Sequence, residues 1–213
     1  MDTPFELLYP LLRGVRFTIE LTLASALLGL ILAFAAGLGR TSRHHSVRAA
    51  IGVYVEVFRG TSLLIQLFWL YFALPLLGIS LSNTTAAVLA MGFNVGAYGS
   101  EVVRGAVLSV PKPQLEAAIA LNMRPGYRMF RIIIPQAWVM ILPPFGNLLI
   151  ELLKSTSLVS LIAITEITYQ GSLLQSSIGR TSEIYFLLLV LYFLIAMPLT
   201  RGVRWLESRC KWA

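Results

Sequence analysis

Charge is scarce in this sequence. Only 13% of its 213 residues are Asp, Glu, Lys or Arg, against 57% that are apolar, and the mean hydropathy is +0.77. A water-soluble globule could not hide so much apolar surface, so that class is excluded. Lysine is rarer still: Lys112, Lys154 and Lys211 are the only three, and none follows a glycine. The chain therefore has no G-x-x-x-x-G-K-[ST] loop to cradle nucleotide phosphates, and any ATP and Mg2+ used with it must be handled by another subunit. The single cysteine, Cys210, allows neither an intrachain disulfide nor a thiolate metal cluster. His44 and His45 stand together in a basic segment, where a solvated or headgroup-facing role is expected rather than catalysis or metal binding. No catalytic residue, no metal site and no cofactor bound by this chain are expected. A net charge of +7 and a pI of about 9.9 would suit nucleic acid, but the basic residues fall between apolar runs instead of gathering on one face.

What the chain has instead is long apolar runs. A hydrocarbon core of roughly 30 Å takes about 20 residues of helix, which leaves room for five spans and short loops but no separate soluble domain. Residues 17–39 form a run too long for a signal-peptide core of about 7–15 residues and read as a retained first helix. Residues 49–60 are expected at the membrane interface before an aromatic-rich second span that ends near Gly78. The third span is expected over 86–110, the fourth over 136–164 and the fifth over 184–199, with 165–183 a polar outer segment. Eleven Lys and Arg lie in 40–48, 111–135 and 201–211, against three in the opposite segments (Arg13, Arg16 and Arg180). That bias predicts the N-terminus outside and the C-terminus inside, with an odd number of spans. The fold class is thus an all-α integral membrane protein of five transmembrane helices, one transmembrane domain over 1–213, multi-pass in a lipid bilayer.

The inward loop, 111–135, is too polar to span. Pro113 suits a first helical turn and Glu116 favours its dipole, so a short helix starts there. Asn122 is expected to stop it in the left-handed conformation, and Pro125 to open a second helix bounded by Pro135. Glu116, Ala117 and Ala118, then Asn122, Ile132, Ile134 and Pro135 follow the pattern EAA-x3-G-x9-I-x-L-P, with Asn for Gly and Ile for Leu. The loop thereby resembles that of binding-protein-dependent ABC importer permeases. In that family it is the coupling helix that docks on the cytoplasmic ATPase.

The likeness extends along the chain. VEVFRGTSLLIQLFWLYFALP (55–75), AYGSEVVRGAVLSVP (97–111) and NLLIELLKSTSLVSLI (147–162) resemble the polar amino-acid uptake subgroup. Within it, EAAIALN with PPFGNLLIELLK is similar to the ectoine and hydroxyectoine uptake permeases. The resemblance implies a type I permease fold in a bacterial inner membrane and import of a small zwitterion, driven by ATP hydrolysis elsewhere. Its implied partners are a pair of ATP-binding subunits, an extracytoplasmic solute-binding protein and a second permease chain, a sister or itself, together with membrane lipid.

Ionisable groups inside spans are costly and mark cavities or partners. Glu151 and Lys154, at i and i+3, can pair on one face of the fourth span. With Asn94, Ser157 and Gln66 they are the candidate substrate pathway, since a zwitterion needs one partner of each sign. A purely structural Glu151–Lys154 latch is the competing interpretation. Glu101 and Arg104, at the same spacing, are expected to be structural. Rival functions are an efflux permease, an ATP-independent scaffold or channel, and a secondary transporter.

Overall fold

The long apolar runs become long helices. The computed structural model describes residues 4–210; Asp2 and Lys211, which entered the charge reading, lie outside them. The chain is helical throughout, with no strand among the described residues. Helix α1 (Pro4–Gly39) is followed by α2 (His45–Gly60) and α3 (Leu63–Phe68). A π segment (Trp69–Ala73) and a 3-10 segment (Leu74–Leu77) extend α3. Then come α4 (Asn83–Ser109), α5 (Lys112–Ala120), α6 (Pro125–Arg128) and α7 (Ile134–Ser155). Helix α8 (Ile167–Ile178) and helix α9 (Thr181–Cys210) close the chain. Four stretches are long and apolar enough to cross a membrane: Leu8–Gly39, Asn83–Ser109, Pro125–Ile162 and Thr181–Arg209. The pair His45–Gly60 and Leu63–Leu77, bent by 106°, makes a fifth if counted as one broken span.

The bundle is built on one helix pair. Gly29, Ala33 and Gly37 of α1 recur every four residues, as small residues do where membrane helices approach closely. Across the seam lie Gly92, Gly96 and Gly99 of α4. A Cβ on Gly37 would stand 2.8 Å from the Ser100 carbonyl oxygen, and one on Gly99 would stand 2.8 Å from the Ala33 Cβ. In lipid no hydrophobic effect draws helices together, so this close van der Waals contact must hold them. Around the pair sit three apolar clusters. One packs Leu67 and Met91 with Leu152 and Val159; one packs Val103 and Ile141 with Phe145 near the inward loop; one packs Leu11, Ile167 and Leu188.

Three sequence expectations change. The fourth span begins before Pro135, not after it. A π segment (Met129–Ile133) runs directly into α7, and Pro135 sits in that helix's first turn, where its missing N–H costs no hydrogen bond. The wide turn absorbs the proline without a break. The polar outer segment contains a helix, α8, packed on α1 and α9. Gly14 of α1 makes room for it: a Cβ there would lie 2.7 Å from the Ile167 Cα. The second span, expected to run on from the interfacial 49–60 to near Gly78, is not one regular helix: after the 106° bend, α3 gives way to π and 3-10 turns.

Candidate functional site

The turn between α2 and α3 is held by two amides. Thr61 is extended, so α2 ends with carbonyls that no following turn satisfies. Gln66, buried in α3, donates from Nε2 to the Phe58 and Thr61 carbonyls at 2.9 and 3.2 Å, and to Thr61 Oγ1 at 2.8 Å. Asn94, at the middle of α4, donates from Nδ2 to the same Phe58 carbonyl at 3.1 Å and to Gln66 Oε1 at 3.2 Å. Tyr54 and Tyr98 donate their hydroxyls to the Phe93 and Arg59 carbonyls. The Phe58, Arg59 and Thr61 carbonyls, which the bend would otherwise strand, are thereby paired.

Beside this bend lies a pocket of about 240 Å³. Thr61, Ser62 and Leu63 of the bend line it, with Asn94 and Tyr98 of α4, and Leu148, Glu151, Ser155 and Leu158 from α7 and the 3-10 turn after it. Of the residues singled out in the sequence, the structure brings Asn94 and Glu151 to this pocket. Gln66 stands behind the bend and touches Asn94. Lys154 and Ser157 are not among the lining residues; Ser157 Oγ donates to the Lys154 carbonyl within the helix. Glu151 and Lys154 do not form an ion pair: among the described residues those pairs join Arg16 to Glu20, Arg180 to Glu183, and three arginines to Glu101. Both residues are exposed. Sequence reasoning passed over Thr61, Ser62 and Tyr98. The signal for the first two was the break after Gly60, where short polar residues precede an apolar run.

Three residues beyond Tyr98 on α4, Glu101 ties helices together. Arg40, at the end of α1, pairs with Glu101 Oε1, and Arg104 donates from Nε and Nη2 to Oε2 at 3.1 and 2.9 Å. Arg59 of α2 comes within 3.9 Å of the same carboxylate.

The inward loop folds as a helix, a turn and a helix. Asn122 adopts φ 54°, the left-handed conformation that the sequence assigned to it. Its N–H donates to the Ile119 carbonyl and that of Met123 to the Ala118 carbonyl, which ends α5. Ala118 is buried at 1% exposure, while Glu116, Ala117 and Asn122 face outward. Leu115 and Met129 pack on the cluster around Val103, anchoring the loop to α4 and α7. Ile132 is half-buried there and Pro135 is exposed. Ile119, Leu121, Tyr127 and Phe130 are left exposed at 54–72%, an apolar surface on the loop's outer side.

A buried carboxylate was not foreseen. Glu166, fully buried, caps α8: one carboxylate oxygen accepts from the Tyr169 N–H and the other from the Tyr192 hydroxyl, each at 2.8 Å. Burial pushes its carboxyl above the ordinary range, against the hydrogen bonds that favour its charged form.

Membrane-crossing helices around a small polar pocket, with an apolar-tipped loop tied to the same helices, define a permease that a second protein can drive. Residues 25–212 match the family described as the binding-protein-dependent transport system inner membrane component. The chain belongs to that family and has its type I permease fold. It is 43% identical over 209 residues to the probable amino-acid ABC transporter permease protein y4tF of Sinorhizobium fredii, covering 95% of this chain and 88% of that one. It is 36% identical over 203 residues to the L-cystine transport system permease protein TcyB of Bacillus subtilis, covering 94% and 87%. It is 35% identical over 203 residues to the glutamine transport system permease protein GlnP of Escherichia coli, covering 94% and 93%. Among solved structures, an amino acid ABC transporter crystallised with histidines superposes with a TM-score of 0.90 at 31% identity, covering 98% of this chain and 99% of that chain. The inward-facing MetNI methionine transporter superposes at 0.75 and 22% identity, a likeness of fold alone. As a member of the family the chain is a membrane-embedded permease subunit of an ABC importer and not an enzyme. ATP is hydrolysed by a separate subunit, and a solute-binding protein is the other expected partner.

Proposed function

We propose that this permease imports a polar amino acid, held during passage in the pocket beside the α2–α3 bend. The observation that carries the proposal is that Asn94 and Glu151, 57 positions apart in the sequence (151 minus 94), line one partly polar cavity of about 240 Å³, room for an amino acid. Glu151 suits the solute's ammonium group, and the free Oδ1 of Asn94 offers it an acceptor. The named relatives, for glutamine, L-cystine and amino acids, support an open-chain amino acid over ectoine, whose cyclic zwitterion needs the same charges.

In the proposed assembly the bent pair counts as a span, giving five, with the N-terminus outside and the C-terminus inside a bacterial inner membrane. The eleven-to-three Lys and Arg bias supports that orientation. The binding protein delivers solute to the outer face. Glu116, Ala117, Ala118 and Asn122, with Ile132 and Pro135 at the loop's base, transmit closure of an ATPase pair to α4 and α7. Two permease chains, identical or sister, pack about a twofold axis. The test is uptake into proteoliposomes by the reconstituted complex, against a panel of amino acids and ectoine. Glu151→Gln and Asn94→Ala should each lower uptake at least tenfold in complexes that still assemble; unchanged solute dependence of ATP turnover in both would sink the site.

A further inference from the structure

A zwitterion bound at Glu151 still needs a cation for its carboxylate, and Lys154 does not line the pocket. Arg59 does not line it either, but its side chain stacks on a residue that does. Its guanidinium lies over the Tyr98 ring, 5.3 Å from the centroid, and the Tyr98 hydroxyl donates to the Arg59 backbone carbonyl. Tyr98 itself is a wall of the pocket, and Thr61, two residues beyond Arg59, is another.

Arg59 is also the most weakly engaged cation of its group. Glu101 carries one negative charge and is already engaged by Arg40 on one oxygen and by Arg104, through two hydrogen bonds, on the other. Arg59 reaches only 3.9 Å from that carboxylate, beyond hydrogen-bond distance, and its guanidinium makes no hydrogen bond among the described residues. Its side chain is 43% exposed. A guanidinium has five donors in a planar fork that matches a carboxylate. Here the fork lies against an aromatic face, with Glu101 as an ion-pair partner at 3.9 Å but no hydrogen bond to it. Arg40, Arg59 and Arg104 outnumber Glu101 and Glu56, whose charge also acts on Arg40, so a local excess of positive charge remains that a solute carboxylate would relieve.

We propose that Arg59 receives the α-carboxylate of the transported solute at the Tyr98 edge of the pocket, and so selects for solutes that bear one. This rests on the pocket assignment above, in which Glu151 faces the ammonium group. Arg59 would then be the specificity-determining residue of the pair, with Tyr98 as its positioning support and Glu101 as a tether already neutralised by other arginines.

The experiment is solute binding to the assembled permease–ATPase complex in nanodiscs, by titration calorimetry without the binding protein, so that only the permease selects. The probes are the L-amino acid most strongly transported by the wild type and its α-amide, which keeps the ammonium group and lacks the carboxylate. Charged hydrogen bonds of this kind correspond to about a tenfold change in affinity or more. Arg59→Gln is expected to erase the wild type's preference for the acid over the amide by about that factor, while the amide's Kd stays unchanged. Arg59→Lys, which keeps the charge and loses the fork, should weaken the acid about threefold and leave the amide alone. It decides the matter if Arg59→Gln does not assemble. An equal change for both solutes, or an unchanged preference, overturns the proposal and marks Arg59 as a structural tie between α2 and α4. Glu151→Gln should weaken both solutes together. If it weakens neither, the pocket assignment fails and this inference with it; if it does while Arg59 variants keep the preference, only the Arg59 assignment fails.

Discussion

Glu166 shows how a single side chain can tie a short helix to a long one. It is fully buried, yet both its oxygens are used: one caps α8 through the Tyr169 N–H and one accepts from the Tyr192 hydroxyl on α9. Glu166→Gln keeps an acceptor for Tyr169 and should cost less than about 1 kcal/mol. Glu166→Leu removes the cap and strands buried donors, for an expected loss of about 1–3 kcal/mol, read as a lower Tm. Because burial raises the folded carboxyl above its unfolded value, the folded chain holds that proton more tightly than the unfolded one. The stability it contributes is full below the unfolded value and is lost as pH rises through the folded one. The Tm difference between wild type and Glu166→Gln should therefore shift against the wild type as pH is raised from about 5 to 8. A difference independent of pH contradicts this. At Asn122 the account is conformational. With φ at 54°, Asn122→Gly should be tolerated, while Asn122→Val should cost about 1–2 kcal/mol and weaken coupling, measured as solute-stimulated ATP turnover.

Among elements, the α1–α4 pair sets the frame for everything else. A Cβ on Gly37 would meet the Val103 Cβ at 2.7 Å and backbone oxygen at 2.8 Å, and backbone cannot step aside. Gly37→Ala should therefore reduce the yield of monodisperse complex and lower its Tm. Gly105→Ala, on the same pair but facing open space, should leave Tm unchanged or raise it, since alanine is favoured over glycine in helices by about 1 kcal/mol. The long spans were legible from apolar run length, and the left-handed turn at Asn122 from residue chemistry, because both depend on local sequence. The 106° bend was not, since its stability comes from Asn94, 36 residues from the Phe58 carbonyl it satisfies. Helix α8 was hidden for a similar reason: its sequence is polar, and what fixes it is Gly14 and Leu188, from the helices on either side. At the site, Asn94 and Glu151 were legible as polar groups inside apolar spans. Pairing Glu151 with Lys154 was not sound, because i, i+3 spacing permits contact without requiring it, and both side chains remain exposed.

The whole molecule joins two surfaces through the same helices. Residues 111–135 hang from α4 and α7, and those two helices supply Asn94, Tyr98 and Glu151 to the pocket. A displacement of the loop therefore moves both walls of the cavity. Glu116 is exposed on the same loop as the exposed Ile119, Leu121, Tyr127 and Phe130, the face that the proposed assembly sets against the ATPase. Glu116→Lys should abolish ATP-driven uptake while leaving the permease folded, checked by unchanged Tm and by loss of the ATPase on co-purification. Full uptake by that variant would mean that the drive enters elsewhere. The central claim, that the cavity at the bend is where solute is held, is tested most directly by a structure of the assembled complex loaded with the transported amino acid. The account predicts density between Thr61–Ser62, Asn94 and Glu151, with its carboxylate toward Arg59. Density lodged elsewhere, with that cavity filled only by water, would contradict it.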